Sequence, residues 1–119
     1  VMDSANKVHG VLVLRVQEYN GTAVLRFVDY LGKPDVLSDI TTEIDKEMGK
    51  LNVEYIDMYE TGIDDKYLTQ GGWIQVKQTD NIIPNYFSPF ETRVIDIYYS
   101  SSNPNAVLFR GDGDQDRPN

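Results

Sequence analysis

Residues 8–31 read VHGVLVLRVQEYNGTAVLRFVDYL, and the Asn20-Gly21 pair at their middle decides how the chain begins to fold. A type I′ turn needs two successive residues with positive φ, and Asn-Gly supplies them at little steric cost. The flanking runs of β-branched and aromatic residues are therefore expected to pair as an antiparallel hairpin. In the second run Ala23, Leu25, Phe27 and Leu31 fall on one face while Val24, Val28 and Tyr30 fall on the other. A strand that is apolar on both faces belongs inside a sheet rather than at its edge.

Beyond Gly32 the apolar period changes from two to three and four. Leu37, Ile40, Ile44, Met48 and Leu51 share one face of an expected helix, with Asp39, Glu43, Lys46 and Glu47 around the rest. Pro34 suits the first turn, and Gly49 with Asn52 marks the exit. Residues 53–59, VEYIDMY, read as a strand, so that strands 22–31 and 53–59 flank a right-handed crossover and run parallel. Asp64 is placed to cap a short helix over residues 65–70 that ends at Gly71-Gly72.

Residues 73–77, 93–99 and 106–109 complete the expected strands. Between them a proline-marked loop, 78–91, carries the segment IIPNYFSPF, too apolar for a free loop. Such a segment either packs over the core or forms a lid. The expected class is α/β (α+β), a mixed and largely antiparallel sheet with one parallel pair and two helices, in a single domain over residues 1–119 with an acidic tail from 110.

At 119 residues the chain can bury one core, and its net charge of −8 disfavours nucleic acid and any anionic ligand lacking a local basic patch. The longest apolar run, residues 11–14, is far too short to cross a bilayer. The absence of cysteine excludes disulfides and thiolate metal sites and fits a cytoplasmic setting.

The stretch over residues 24–76 resembles the C-terminal half of the GCN5-related acyl-CoA N-acyltransferase fold. The likeness lies in its order: a strand, a helix, a parallel strand, a short helix, and a glycine-aromatic step into the next strand, here Gln70-Gly-Gly-Trp73. The resemblance implies that acyl-CoA would lie in the opening between the two parallel strands, its pyrophosphate at the helix start beside Tyr30, Gly32 and Lys33. It also implies transfer of the acyl group to an amine of a small metabolite or sugar. The sheet would be completed by a second copy or by an N-terminal half of the same protein. Two departures stand against it. Tyr30-Leu-Gly-Lys-Pro-Asp35 replaces the glycine-rich phosphate loop, and the position of the family's tyrosine acid falls on Leu68, with Tyr67 one residue away. The alternative is a non-catalytic ligand-binding or assembly domain that retains the fold.

Asp29, Asp57 and Glu60 stand at the C-terminal ends of the two parallel strands, where open sheets bind ligands. One of them is placed to act as the general base that acyl transfer to nitrogen needs, with Tyr59, Asp64, Asn85 and Tyr86 as substrate contacts. The plainer reading has these carboxylates ending strands and capping turns. The terminal RGDGDQDRPN spaces Asp112, Asp114 and Asp116 like the first ligands of a calcium loop, but Arg117 stands where such a loop needs glycine, so no metal site is expected. What remains is a solvated tail, or one that folds back so that Arg110 and Arg117 meet the three carboxylates. His9, the single histidine, reads as an edge residue.

Overall fold

A computed structural model of the chain describes residues 1–85 and 90–113. The hairpin forms as its turn dictates. β1 (Gly10–Tyr19) and β2 (Thr22–Gly32) pair antiparallel across Asn20 at φ 50° and Gly21 at φ 83°. β2 is the central strand, with β3 (Ile56–Met58) parallel on its far side, and its residues from Val24 to Val28 are all buried. At the other edge the amino terminus folds onto β1, its ammonium donating to the Gly10 carbonyl at 2.8 Å.

The alternation along β2 does not run unbroken. Val13 faces Asp29 while Leu14 faces Phe27, so Val28 is the extra residue of a bulge. A bulge inverts the parity of everything after it. Tyr30, expected opposite Phe27, instead joins it in the core, while Leu31 turns outward and is 78% exposed.

The expected single helix is divided at Ile40 into α1 (Val36–Asp39) and α2 (Thr41–Leu51). Ile40 is itself buried, so the break serves to bring it into the core. α2 ends as its sequence indicates, with Asn52 left-handed and its N–H on the Met48 carbonyl, although Leu51 stays largely exposed. α3 (Asp65–Gln70) is capped by Asp64, whose carboxylate accepts the Lys66 N–H at 3.0 Å. Among the described residues three helices rather than two thus pack on the sheet, and Phe27, Leu37, Ile40, Ile44, Leu68 and Phe109 close the core beneath them.

Two expected strands are replaced by other structure. At residues 73–77 the Gly71-Gly72 turn sends Trp73 edge-on against Phe27, with ring centroids 5.8 Å apart. The chain then enters a short 3-10 turn, Val76–Gln78, and leaves Ile74 71% exposed. Residues 93–99 form no strand. Val94, Tyr98 and Tyr99 are exposed, so no buried face fixes a register there. The expected strand at 106–109 shrinks to β5 (Leu108–Phe109), which pairs antiparallel with β4 (Glu60–Thr61) as a separate two-stranded ribbon. The fold is therefore a mixed α+β arrangement, and among the described residues no helix is long and apolar enough to cross a membrane.

The IIPNYFSPF loop is seen at its two ends. Pro84 accepts a hydrogen bond from Arg26 through its carbonyl, and Phe90 stacks on Tyr19 at 3.9 Å, so both ends pack on the hairpin. Tyr86, Phe87 and Pro89 lie outside the described residues, as do Asp114, Asp116 and Arg117 of the terminal segment.

Two glycines separate conformational strain from a steric clash. A Cβ at Gly21 would meet nothing within 4 Å, whereas at Gly62, with φ at 95°, it would lie 2.3 Å from the Ala106 carbonyl oxygen. Gly21→Ala is expected to cost about 1–2 kcal/mol, the strain of a left-handed residue alone. Gly62→Ala is expected to cost more, because the β4–β5 ribbon must also separate. Urea midpoints measure both, and an equal loss at the two positions would refute the close approach.

Candidate functional site

β2 and β3 stay paired over only three rungs, Leu25 with Ile56, Arg26 with Asp57 and Phe27 with Met58. Past them β2 runs on to Gly32, while the other chain turns off into β4. The opening between them is the place where the parallel strands present their C-terminal ends, and the protein fills it with residues 108–112. Phe109 stacks on Phe27 with centroids 5.5 Å apart and meets Tyr30 edge-on. Gly111 sits against β2, where a Cβ would lie 3.2 Å from the Val28 carbonyl oxygen. Asp112 closes the turn by accepting the Phe109 N–H at 2.8 Å.

Arg110, between Phe109 and Gly111, points to the opposite face of the sheet. Its guanidinium lies 3.3 Å from the Asp57 carboxylate and 4.0 Å from the centroid of the Tyr59 ring. Arg26, beside Asp57 in the parallel register, reaches the same carboxylate oxygen at 3.1 Å. All three residues are at least 97% buried, Arg26 at 1% exposure, Asp57 at 2% and Arg110 at 3%. Burial raises the Asp57 carboxyl above its ordinary value, with Arg110 and Arg26 opposing, and burial also lowers Arg110. Asp57 is thus shut away from solvent and shared between two guanidiniums, an arrangement that holds the fold together. The expectation that the terminal segment folds back is met at Arg110, which therefore belongs to the core and not to a solvated tail.

The other expected site residues are dispersed. Asp29 lies within β2 and accepts the N–H of Tyr30 at 2.7 Å, while Glu60 opens β4 and accepts that of Ile63 at 3.3 Å, so each carboxylate is taken up by local backbone. Among the described residues no three carboxylate or histidine side chains gather closely enough to hold a metal ion. Tyr30 is a core residue, its hydroxyl donating to the Lys33 carbonyl at 3.0 Å and its ring lying over Gly10 and Gly32. Burial raises its pKa, with Asp35 adding. Tyr59 faces Arg110, Asp64 pairs with Lys66 at 3.0 Å, and Asn85 bridges Glu91 through the backbone, while Tyr86 lies outside the described residues.

A cleft of about 580 Å³ lies elsewhere, between α2, the segment entering β3, and the chain that follows α3. Ile44, Met48, Ile56 and Ile83 line it with apolar groups, and Trp73 supplies an aromatic wall. The indole Nε1 has no acceptor among the described residues. The residues of this cleft come from segments with no shared motif, so sequence reasoning did not assemble it. Arg26 did carry a signal: a charge inside the buried run of β2 requires a carboxylate on a neighbouring strand, and the parallel partner contains Asp57.

Compared with protein families, with curated proteins and with solved structures, the chain matches none.

Asp57→Ala leaves two buried guanidiniums without their shared carboxylate and is expected to cost about 3–5 kcal/mol in urea unfolding. Arg110→Met leaves a balanced Arg26–Asp57 pair and should cost less; an equal or greater loss would refute the three-residue cluster. Glu60 provides a pH readout. Burial raises its carboxyl above the ordinary 4.5, with the Ile63 N–H opposing and Asp65 adding. A raised pKa means that the folded state holds the proton more tightly, so this contribution is full below pH 4.5 and is lost as pH rises through the folded value. Glu60→Gln should therefore match the parent in melting temperature below that pH and exceed it by a growing margin toward neutrality. A constant margin would contradict the assigned burial.

Proposed function

We propose that this chain is a non-catalytic ligand-binding domain, one that retains the strand, helix and strand order of the acyl-CoA N-acyltransferases and binds at the cleft beside β3. The observation that carries this reading is the occupied opening between β2 and β4. Residues 108–112 lie there as an added strand and turn, and Asp57, the most central of the three carboxylates, is closed off by Arg26 and Arg110.

The region expected to hold a pyrophosphate supports the same reading. α1 has only four residues, and Asp35 stands at its start with an acidic side chain. Tyr30 covers the glycines on which a phosphate loop would depend, because a Cβ at Gly32 would lie 2.3 Å from its hydroxyl. An anionic carrier entering here meets a filled space, and Asp35 offsets the positive charge of Lys33. The cleft offers what the opening does not: a volume within the range of small-molecule sites, apolar walls and a polar rim.

Thermal denaturation with acetyl-CoA tests the proposal. A ligand that binds only the folded state at a hundred times its Kd stabilises it by about 2.7 kcal/mol, which a small domain reports as a shift of several degrees. No shift is expected at millimolar acetyl-CoA. A saturable rise would overturn the proposal and favour acyl transfer to an amine.

A further inference from the structure

The cleft has a charge pattern as well as a shape. Two carboxylates line it, Asp45 from α2 and Glu54 from the segment entering β3, and no lysine, arginine or histidine does. Among the described residues neither carboxylate takes part in an ion pair. The lysines of α2 are engaged on its exposed side, Lys46 with Glu43 and Lys50 with Glu47, both at 2.6 Å. Among the described residues the acidic rim thus carries no ion pair of its own. The lining beside the carboxylates is largely apolar and aromatic, with Ile44 and Met48 from the helix and Trp73 from the chain after α3.

From this arrangement we infer that the cleft recognises a small aromatic amine in its protonated form. The deduction rests on the cleft being the binding site and goes further by fixing the ligand's charge. An apolar body of six to ten carbons gains by leaving water against the isoleucine and methionine side chains. An ammonium group at its end faces two unpaired carboxylates, and tryptophan is the best of the aromatic faces for a cation. A carboxylate or phosphate in the same place would be opposed by both rim charges and by the net charge of −8. The chemistry selects for positive charge and against negative charge on ligands of one shape.

Trp73 is the single tryptophan of the chain and reports directly on the cleft. Its emission is titrated at neutral pH with 2-phenylethylamine, 2-phenylethanol and phenylacetate, which share a ring and a chain length and differ in charge. The amine is expected to saturate with a Kd about fivefold below that of the alcohol, and phenylacetate to bind weakest. The double variant Asp45→Asn, Glu54→Gln should bring the amine to the level of the alcohol, with an unchanged circular dichroism spectrum excluding misfolding. Equal binding of all three probes would overturn the charge selectivity while leaving the cleft as the site. No saturable response from any of them at tens of millimolar would overturn the site as well.

Discussion

The Asp57 carboxylate, shared between Arg26 and Arg110, ties together three parts of the chain that have little else in common. Arg26 comes from the central strand, Asp57 from its parallel neighbour and Arg110 from the far end of the described sequence. A buried charge costs several kcal/mol unless it is paired, so each of these residues constrains where the others can be. The pairing of Arg26 with Asp57 fixes the parallel register, because a slip of β3 by one residue would carry Asp57 to the opposite face of the sheet and leave Arg26 without it. The pairing of Asp57 with Arg110 then draws the terminal segment into the sheet. Phe109 and Gly111 follow from it: one turns its ring to the core, and the other lets the backbone approach β2.

That constraint accounts for what the sequence could and could not convey. The hairpin, the crossover helix and the parallel strand were legible because each is encoded locally, by Asn-Gly, by a three-to-four period and by a β-branched run. The cap at Asp64 was legible for the same reason. The bulge at Val28 was not, since an extra residue leaves no mark on composition and shows only as a change of parity between Phe27 and Tyr30. The strands expected at 73–77 and 93–99 had the right residues but do not reach the free edge of the sheet. Strand propensity describes a side chain's fit to a pleated surface, and it is realised only where such a surface exists.

The site residues divide along the same line. Asp29, Asp57 and Glu60 were expected at the C-terminal ends of the parallel strands, yet Asp29 lies inside β2, Asp57 in the middle of β3 and Glu60 at the start of β4, and position in a strand does not specify what else occupies the space beyond it. Here that space is taken by residues 108–112, some fifty positions downstream of β3. The resemblance to the acyltransferase order concerns connectivity, and connectivity is compatible with an opening that is either empty or filled. Function has to be argued from the side chains that line a space, and the lining of this one is the protein's own backbone and Phe109.

A cleft persists beside β3, apart from the filled opening. A three-residue strand at the edge of a sheet can be flanked by added structure on its free side or left open to solvent. The segment after α3 would ordinarily supply the next strand, yet Gly71-Gly72 and the anchoring of Trp73 on Phe27 carry it away from that edge. The chain returns to the sheet at Pro84, on the face where Arg26 lies, and Ile82 and Ile83 mark the outer wall of the space it has gone around. An apolar cavity of this size left in a domain of 119 residues forgoes burial that the core would otherwise gain. Its rim carries Asp45 and Glu54, which among the described residues enter no ion pair. A space that leaves both packing and charge balance incomplete is the observation on which the proposed binding of a cationic ligand rests.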